Sequence, residues 1–310
     1  MENAAETAWT PPELRGQVAL VTGASRGVGR GVALALGVTG AKIYVTGRSR
    51  RGQRTTEDLP GTIDDTAEAI VAQGGLAEPV TCDHTNDAEV ERLLKRISER
   101  EGRIDILVNC AWAGYERSGE ARFDAPFWDQ PMWRYDLFAG SIRGAYQTSQ
   151  LVAHRMVAQK KGLVVHISFT DGPTFLGQTA YDMFKMASDR MAEGMAHELR
   201  KHRVACVALH PGLVRTERVA KAWSRLGDGP SKVAHSPEYV GRAVAHLAAD
   251  DGVMEMSGQR LAVGDLAEKY GFTDTDGRRL PAFKLEGRMS LAARMERLNR
   301  VASGYGSGAS

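Results

Sequence analysis

The 310-residue chain has few cysteines, no long apolar run and almost no net charge. Its three cysteines (Cys82, Cys110 and Cys206) lack the paired spacing of a metal site, so we expect free thiols in a reducing cytoplasm and no bound metal. Because no run reaches about 18 apolar residues, we expect no integral membrane segment, and the polar start with Pro11 and Pro12 predicts no signal peptide. The net charge of +2 argues against nucleic acid or a membrane surface as a partner.

The chain instead alternates short apolar, β-branched runs with amphipathic segments between residues 18 and 264. The run Val18–Val21, for example, has the pattern of a strand that is buried on both faces. This alternation predicts an α/β protein with a single doubly wound (Rossmann) parallel sheet and helices on both faces.

We divide the chain into a polar N-terminal arm (1–15), a Rossmann-fold domain (16–264) and a C-terminal extension (265–310). The extension contains a basic amphipathic segment (285–301), which could pack on the domain, contact another subunit or lie on a membrane surface. A Gly/Ser-rich tail (303–310) follows it and is expected to be flexible.

A glycine-rich turn follows the first predicted strand and leads into a helix. Its glycines have the spacing G-x-x-x-G-x-G, and without Cβ atoms they allow a sharp bend and close approach of a ligand. The helix N-terminus beyond them suits a pyrophosphate, although a purely structural turn has the same pattern. The candidate cofactor-binding residues of this turn are Gly23, Ser25, Arg26, Gly27, Val28 and Gly29.

The end of the second predicted strand favours NADP(H) as the cofactor. A dinucleotide fold usually has an acidic residue there for the ribose 2′-hydroxyl, whereas this chain has Gly47 and Arg48. Arginine binds a 2′-phosphate that an acid would repel, and Arg26 can approach the same phosphate, although both arginines can also be ordinary solvated side chains. Asp83, after the third predicted strand, can accept from the adenine amino group or cap the next helix.

Three side chains further along the chain suit carbonyl chemistry. Ser168 ends the fifth predicted strand, at the ligand-binding edge of a parallel sheet, while Tyr181 and Lys185 are four residues apart and share a helix face. A carbonyl that receives hydride needs a proton donor and a second hydrogen-bond donor. We expect Tyr181 to give the proton and Ser168 to hold the oxygen. Lys185 should lower the pKa of Tyr181 and hold the nicotinamide ribose.

The chain resembles the short-chain dehydrogenase/reductase family over about residues 16–264. Five motifs carry this resemblance: Thr22-Gly23-x-x-x-Gly27-x-Gly29, Asn109-Cys-Ala, Ser168, Tyr181-x-x-x-Lys185 and Pro211-Gly212. The resemblance implies that Asn109 lines the adenosine side and that the loop from Pro211 and Gly212 through Val214 and Thr216 contacts the nicotinamide amide. It also implies a homodimer or homotetramer.

The chain departs from the family pattern in two motifs. Cys110 and Trp112 alter the usual Asn-Asn-Ala-Gly, and Ser141 replaces an Asn that acts in the family through its backbone carbonyl in a proton relay to the lysine. Because Ser141 keeps a carbonyl, it stays a candidate catalytic residue. One branch of the family, typified by dehydrogenase/reductase SDR family member 1, is resembled by Asn109-Cys-Ala-Trp-Ala-Gly, Phe127-Trp128…Met132-Trp133, Cys206-Val…Pro211-Gly-Leu-Val and the ending from Asp265. This resemblance implies an NADPH-dependent carbonyl reductase acting on steroids and other bulky ketones or aldehydes.

The sequence thus predicts an NADP(H)-dependent oxidoreductase acting on a carbonyl or secondary alcohol. The alternatives are a 3-oxoacyl-carrier-protein reductase and a non-catalytic NADP(H)-sensing protein. The aromatic-rich segment 115–133, here called the insertion, can serve the substrate side or form a packing or oligomer surface. The candidate walls of the substrate pocket, which core packing can equally explain, are Trp112, Phe169, Phe175 and Phe184.

Overall fold

The computed structural model describes residues 9–117, 119–172, 174–223 and 233–284. Its strands are β1 (Val18–Val21), β2 (Lys42–Gly47), β3 (Leu76–Thr81), β4 (Ile106–Asn109), β5 (Gly162–Ile167), β6 (Val204–His210) and β7 (Arg260–Ala262). Within the described ranges these seven strands form a parallel sheet in the order β3-β2-β1-β4-β5-β6-β7. The predicted doubly wound parallel sheet is confirmed.

Helices flank this sheet on both faces. They are α1 (Gly27–Gly37), α2 (Ile63–Ala72), α3 (Asp87–Glu101), α4 (Met132–Gln159), α5 (Thr179–Leu199), α6 (Glu217–Trp223), α7 (Pro237–Ala249) and α8 (Val263–Tyr270). Along β1, Ala19 and Val21 join the core under α1, α2, α7 and α8, whereas Val18 and Leu20 join the core under α3, α4 and α5. Successive side chains of a strand alternate between faces, so both faces of β1 have to be apolar.

The helices α1 and α7 touch backbone to backbone. A Cβ at Gly31 would collide with the backbone of Pro237, and a Cβ at Gly241 would lie 2.5 Å from the Gly31 carbonyl oxygen. The helix α7 begins with a serine cap: the Ser236 hydroxyl accepts from the Tyr239 N–H at 3.0 Å, and Pro237 occupies the first turn. The close approach of α1 and α7 at Gly31 and Gly241 fixes the direction of α1. The N-terminus of α1 faces the carboxyl edge of the sheet.

Residues after β7 pack against the same domain. Leu266 and Phe272 are buried in the core beside α7, and the Asp274 carboxylate, 1% exposed, accepts from the Ser236 N–H at 2.8 Å. The predicted amphipathic segment 285–301 and the Gly/Ser-rich tail lie outside the described residues. In the part of the chain that the structure describes, no helix has the length and apolarity needed to cross a membrane.

Candidate active site

The turn after β1 meets the end of β4 at very short range. Gly23 (φ +66°) and Gly27 (φ +56°) have left-handed backbone, and a Cβ at Gly23 would lie 2.7 Å from the Ala111 Cα. The Thr22 hydroxyl fixes this contact by accepting from the Cys110 N–H at 2.9 Å and the Ala111 N–H at 3.0 Å. Only glycine fits at Gly23, so the glycine turn and the Asn-Cys-Ala motif form one wall.

This wall belongs to a cleft of about 580 Å³ along the carboxyl edge of the sheet. Every catalytic and cofactor-binding residue that we predicted from the sequence lines it. The position agrees with the rule that open parallel sheets bind ligands outside the carboxyl ends of their strands.

The N-terminus of α1 already binds an anionic side chain. The Gly27 N–H donates to Glu217 Oε2 at 2.9 Å, and Glu217 is the first residue of α6. A carboxylate in this place shows that the first turn of α1 can bind an anion, so the residues present fit the pyrophosphate of a dinucleotide. Sequence reasoning missed Glu217, because nothing local marks an acid in the loop after β6 as a ligand of α1.

Arg26 and Arg48 have partners within the protein. The Arg26 guanidinium donates to the Ser49 hydroxyl and the Gly61 carbonyl, each at 2.9 Å, and so holds the loop between β2 and α2. Arg48 pairs with Glu116 and lies 3.7 Å, Nη1 to Oδ2, from the Asp83 carboxylate. Both arginines line the cleft, but any phosphate there competes with these partners.

Asp83 does not cap α3. Its Oδ1 accepts from the Thr85 N–H at 2.9 Å and the Thr85 hydroxyl at 2.7 Å, while the side chain of Asn86 accepts from the Glu89 N–H and caps the helix. Of the two roles left open by the sequence, the capping role therefore belongs to Asn86. Asp83 lines the cleft beside Arg48.

Tyr181 and Lys185 share a face of α5 but meet different neighbours. The Lys185 Nζ lies 3.9 Å from the centre of the Trp112 ring, and burial lowers the pKa of Lys185 to about 8. We expected Lys185 to lower the pKa of Tyr181, but burial, together with the nearby Tyr115 hydroxyl, raises that pKa well above its ordinary value. The pKa of Tyr181 is raised because aromatic rings enclose its ring, while the Lys185 ammonium lies over the Trp112 indole.

Ser168 does not present a free hydroxyl to the cleft. Only 1% of the residue is exposed, and its Oγ donates to the Lys185 carbonyl oxygen at 3.0 Å. Beneath it, the Asp189 carboxylate accepts from the Thr170 hydroxyl at 2.7 Å and lies 3.0 Å from His210 Nε2. Asp189 was missed, although its place four residues after Lys185 on the same helix face could have found it.

Ser141 and Asn109 use their side chains to join β4 and α4. The Ser141 hydroxyl donates to the Leu137 carbonyl at 2.8 Å and accepts from the Ala113 N–H at 3.0 Å. The Asn109 amide donates to the Ser149 hydroxyl at 2.8 Å. Both side chains therefore hold the segment that carries Trp112 against α4.

The four predicted substrate-pocket residues divide into two pairs. Trp112 and Phe169 line the cleft, and Phe169 packs 6.0 Å, centroid to centroid, from Phe283. Phe184 instead fills the space between α4 and α5, and Phe175 is 51% exposed away from the cleft, so these two predictions are wrong. In α5, Phe184 is three residues from Tyr181, and its ring packs towards α4 beside Phe138.

Of the described residues of the insertion, those at its start contribute to the cleft. Tyr115 and Glu116 line the cleft, whereas Phe127 and Trp128 are 65% and 72% exposed. The helix α6 contacts the insertion through Arg218, whose guanidinium lies 5.1 Å from the centre of the Tyr115 ring. The start of the insertion therefore lies on the cleft side, and a packing or oligomer surface formed by the rest stays a prediction.

The doubly wound sheet, the glycine turn before α1 and a tyrosine–lysine pair in the same cleft define a dinucleotide-binding oxidoreductase of the Rossmann type. The family model for short chain dehydrogenases matches residues 17–227. The chain belongs to the short-chain dehydrogenase/reductase family, as its motifs predicted.

Individual relatives agree with this assignment. The chain is 37% identical over 307 residues to dehydrogenase/reductase SDR family member 1 of Mus musculus, with 94% of each protein covered, which confirms the predicted branch. It is 28% identical over 246 residues to 7α-hydroxysteroid dehydrogenase of Clostridium sardiniense, covering 77% of this chain and 88% of the relative. A metagenomic short-chain oxidoreductase, solved in complex with NADP, superposes with a TM-score of 0.63 at 28% identity over 80% of this chain and 96% of the other.

Proposed function

We propose that the protein transfers hydride between NADP(H) and the carbonyl or secondary alcohol carbon of a bulky hydrophobic substrate. One observation carries this proposal: a single cleft joins an anion-binding helix N-terminus to the Tyr181–Lys185 pair. When bound, the nicotinamide supplies or accepts the hydride. Tyr181 donates the proton to the carbonyl oxygen during reduction, and its raised pKa keeps the hydroxyl protonated at neutral pH, as a reductase requires.

Lys185 holds the cofactor in this proposal: its ammonium hydrogen-bonds the nicotinamide ribose and lies 5.8 Å from the centre of the Tyr181 ring. The Trp112 ring, 3.9 Å from the Lys185 Nζ, holds the ammonium in this region.

We expect the dissociation constant of NADPH to rise about tenfold between pH 7 and pH 9.5, because a charged hydrogen bond contributes about 1.5–3 kcal/mol. Lys185 is charged below its pKa of about 8 and neutral above it, so the affinity is present at low pH and lost as the pH rises. Fluorescence titration of NADPH across this range measures the change. Asp189→Asn should move the loss of NADPH affinity to lower pH, because the Asp189 charge raises the pKa of Lys185. A wild-type NADPH affinity that is unchanged from pH 7 to 9.5 would contradict the role of Lys185.

Arg48 supports the preference for NADP(H). It stands after β2, where a dinucleotide fold binds the ribose 2′ substituent, and in this structure it is paired with Glu116. We expect Arg48→Glu to weaken NADPH binding about 100-fold and NADH binding less than about threefold. Only NADPH has a 2′-phosphate, and in this variant that phosphate loses the Arg48 guanidinium and meets a carboxylate.

The matched variant for this test is Glu116→Gln, which removes the carboxylate paired with Arg48 and keeps the size of the side chain. It should strengthen NADPH binding severalfold and leave NADH unchanged. Isothermal titration with both cofactors measures all four constants. An equal loss of NADPH and NADH in Arg48→Glu would mean that Arg48 does not bind the 2′-phosphate.

The aromatic lining favours a bulky apolar substrate, because Trp112, Tyr115, Phe169 and Phe283 all line the cleft. The bacterial relative named for steroid dehydrogenation is consistent with such a substrate. NADPH consumption against aliphatic, aromatic and steroidal ketones and an acyl thioester tests the proposal. Turnover of the thioester alone would establish the acyl-carrier-protein alternative, and tight NADPH binding without turnover of any carbonyl would favour the sensing protein.

We also propose a cytoplasmic homodimer or homotetramer. Support comes from exposed apolar side chains on the two long helices, since clusters of this kind usually mark a contact surface. These side chains are Met132, Tyr135, Tyr146, Met183 and Met186.

A further inference from the structure

We propose that Phe283, which belongs to the C-terminal extension, sets the size of the carbonyl substrate that the cleft accepts. This inference rests on the proposed carbonyl reduction and names a specificity-determining side chain of the same site. Phe283 is half-buried and lines the cleft, although it lies beyond both β7 and α8 in the chain. Its phenyl ring acts by occupying space beside the reacting carbonyl group.

Phe283 lies at one particular end of the cleft. A Cβ at Gly212 would lie 2.5 Å from the Phe283 Cβ, and the Phe169 ring is 6.0 Å from the Phe283 ring, centroid to centroid. Phe169 directly follows Ser168 at the end of β5, and Gly212 follows β6. The glycine turn and Arg48 instead follow β1 and β2, on the other side of β4 in the sheet. Phe283 is therefore remote from the region assigned to the adenosine phosphate and lies where the substrate binds.

The chain that leads to Phe283 is held by α7. Residues 273–284, here called the C-terminal strap, run from the core beside α7 back to the cleft. The Arg242 guanidinium donates to the Thr273 carbonyl at 2.5 Å, and the Tyr239 hydroxyl donates to the Leu280 carbonyl at 3.0 Å. Both donors belong to α7, so the helix that packs on α1 also fixes the path of the C-terminal strap.

The end of the C-terminal strap also touches the start of α8. A Cβ at Gly264 would collide with the backbone of Pro281 and Ala282, the two residues before Phe283. Glycine at position 264 therefore lets the strap lie directly on the helix, as glycine at position 212 leaves room for Phe283 itself. The phenyl ring is thus positioned by contacts within the protein before a substrate arrives.

A ring positioned in this way determines which substrates fit. The rings of Phe283 and Phe169 are inclined at 50° to each other and form a continuous apolar surface, on which the flat ring system of a ketone can pack. A substituent that extends past this surface meets the Phe283 ring. Because contacts that exclude one ligand give specificity as effectively as contacts that bind another, Phe283 sets the upper limit of substrate size.

Two variants at this position test the proposal with acetophenone and the larger 2-acetylnaphthalene, or with the smallest and largest carbonyl that the wild-type protein turns over. We expect Phe283→Ala to raise the ratio of kcat/KM for the larger to kcat/KM for the smaller ketone about tenfold, and Phe283→Trp to lower it by a similar factor. The matched control is Phe175→Ala, which removes the same ring from a residue that is 51% exposed outside the cleft and should leave the ratio unchanged. Titration with NADPH checks that the cleft of each variant is intact.

The proposal requires the two Phe283 variants to change the ratio in opposite directions. A ratio that both variants leave unchanged, or that both change in the same direction, would overturn the assignment to Phe283 while leaving the proposed function intact. An NADPH affinity that falls in Phe283→Ala as much as kcat/KM changes would also overturn it, because the ring would then belong to the nicotinamide site. Wild-type protein that turns over no carbonyl would overturn the proposed function itself and this inference with it.

Discussion

Tyr181→Phe is expected to lower turnover at least about 1,000-fold and to leave the dissociation constant of NADPH within about twofold of the wild-type value. The substitution removes one hydroxyl and keeps the ring, so the packing of Tyr181 against Trp112, Phe123 and Phe138 is preserved. The proton donor to the carbonyl oxygen is lost.

Steady-state turnover and NADPH fluorescence measure the two parts of this prediction separately. The matched control is Tyr146→Phe, which removes a hydroxyl from a tyrosine that is 53% exposed on α4 and should change neither quantity. Substantial turnover by Tyr181→Phe would mean that another group supplies the proton. A joint loss of turnover and NADPH binding would point to damage of the cleft rather than to lost acid chemistry.

Gly31→Ala is expected to destabilise the fold by about 3 kcal/mol, near the upper limit for overpacking. The new Cβ would collide with the backbone of Pro237, and neither helix can move aside because Gly241 already brings α7 against the Gly31 carbonyl at the same level. The N-terminus of α1 would move with the helix, so NADPH affinity should fall with stability. Urea denaturation monitored by far-UV circular dichroism measures the loss.

The control for this prediction is another glycine of a helix. Gly194 lies in α5, and nothing lies within 4 Å of a Cβ built on it. Gly194→Ala should therefore raise the free energy of unfolding by up to about 1 kcal/mol, the helix-propensity difference between the two residues. If both alanine variants change stability by the same amount, the close contact between α1 and α7 does not limit the choice of residue at Gly31.

Local patterns explain what the sequence could predict. The strand Val18–Val21 follows from a short apolar run whose residues are adjacent in sequence. The glycine turn could be located for the same reason, since strand, turn and helix are continuous in the chain. The order of the motifs then identified the sheet edge where they meet.

The direction of individual side chains was harder to predict. Ser168 follows β5 directly, and whether a strand-end hydroxyl faces the cleft or the helix behind it depends on tertiary neighbours such as the Lys185 carbonyl. Phe184 has the spacing of a cleft residue, but its ring packs between α4 and α5. The pKa of Tyr181 depends on Tyr115, which is distant in sequence. None of these contacts has a local signature.

The Glu217 carboxylate, which belongs to the same chain, competes with any free anion for the Gly27 N–H at the start of α1. A tethered group acts at an effective concentration of the order of millimolar, so a free anion reaching the Gly27 N–H has to exchange with this carboxylate. The free energy of dinucleotide binding at this helix end is then the difference between the binding free energies of the pyrophosphate and of the Glu217 carboxylate, which stays attached to the protein. On departure of the dinucleotide the carboxylate returns to the helix end, which favours rapid exchange of oxidised for reduced cofactor between turnovers.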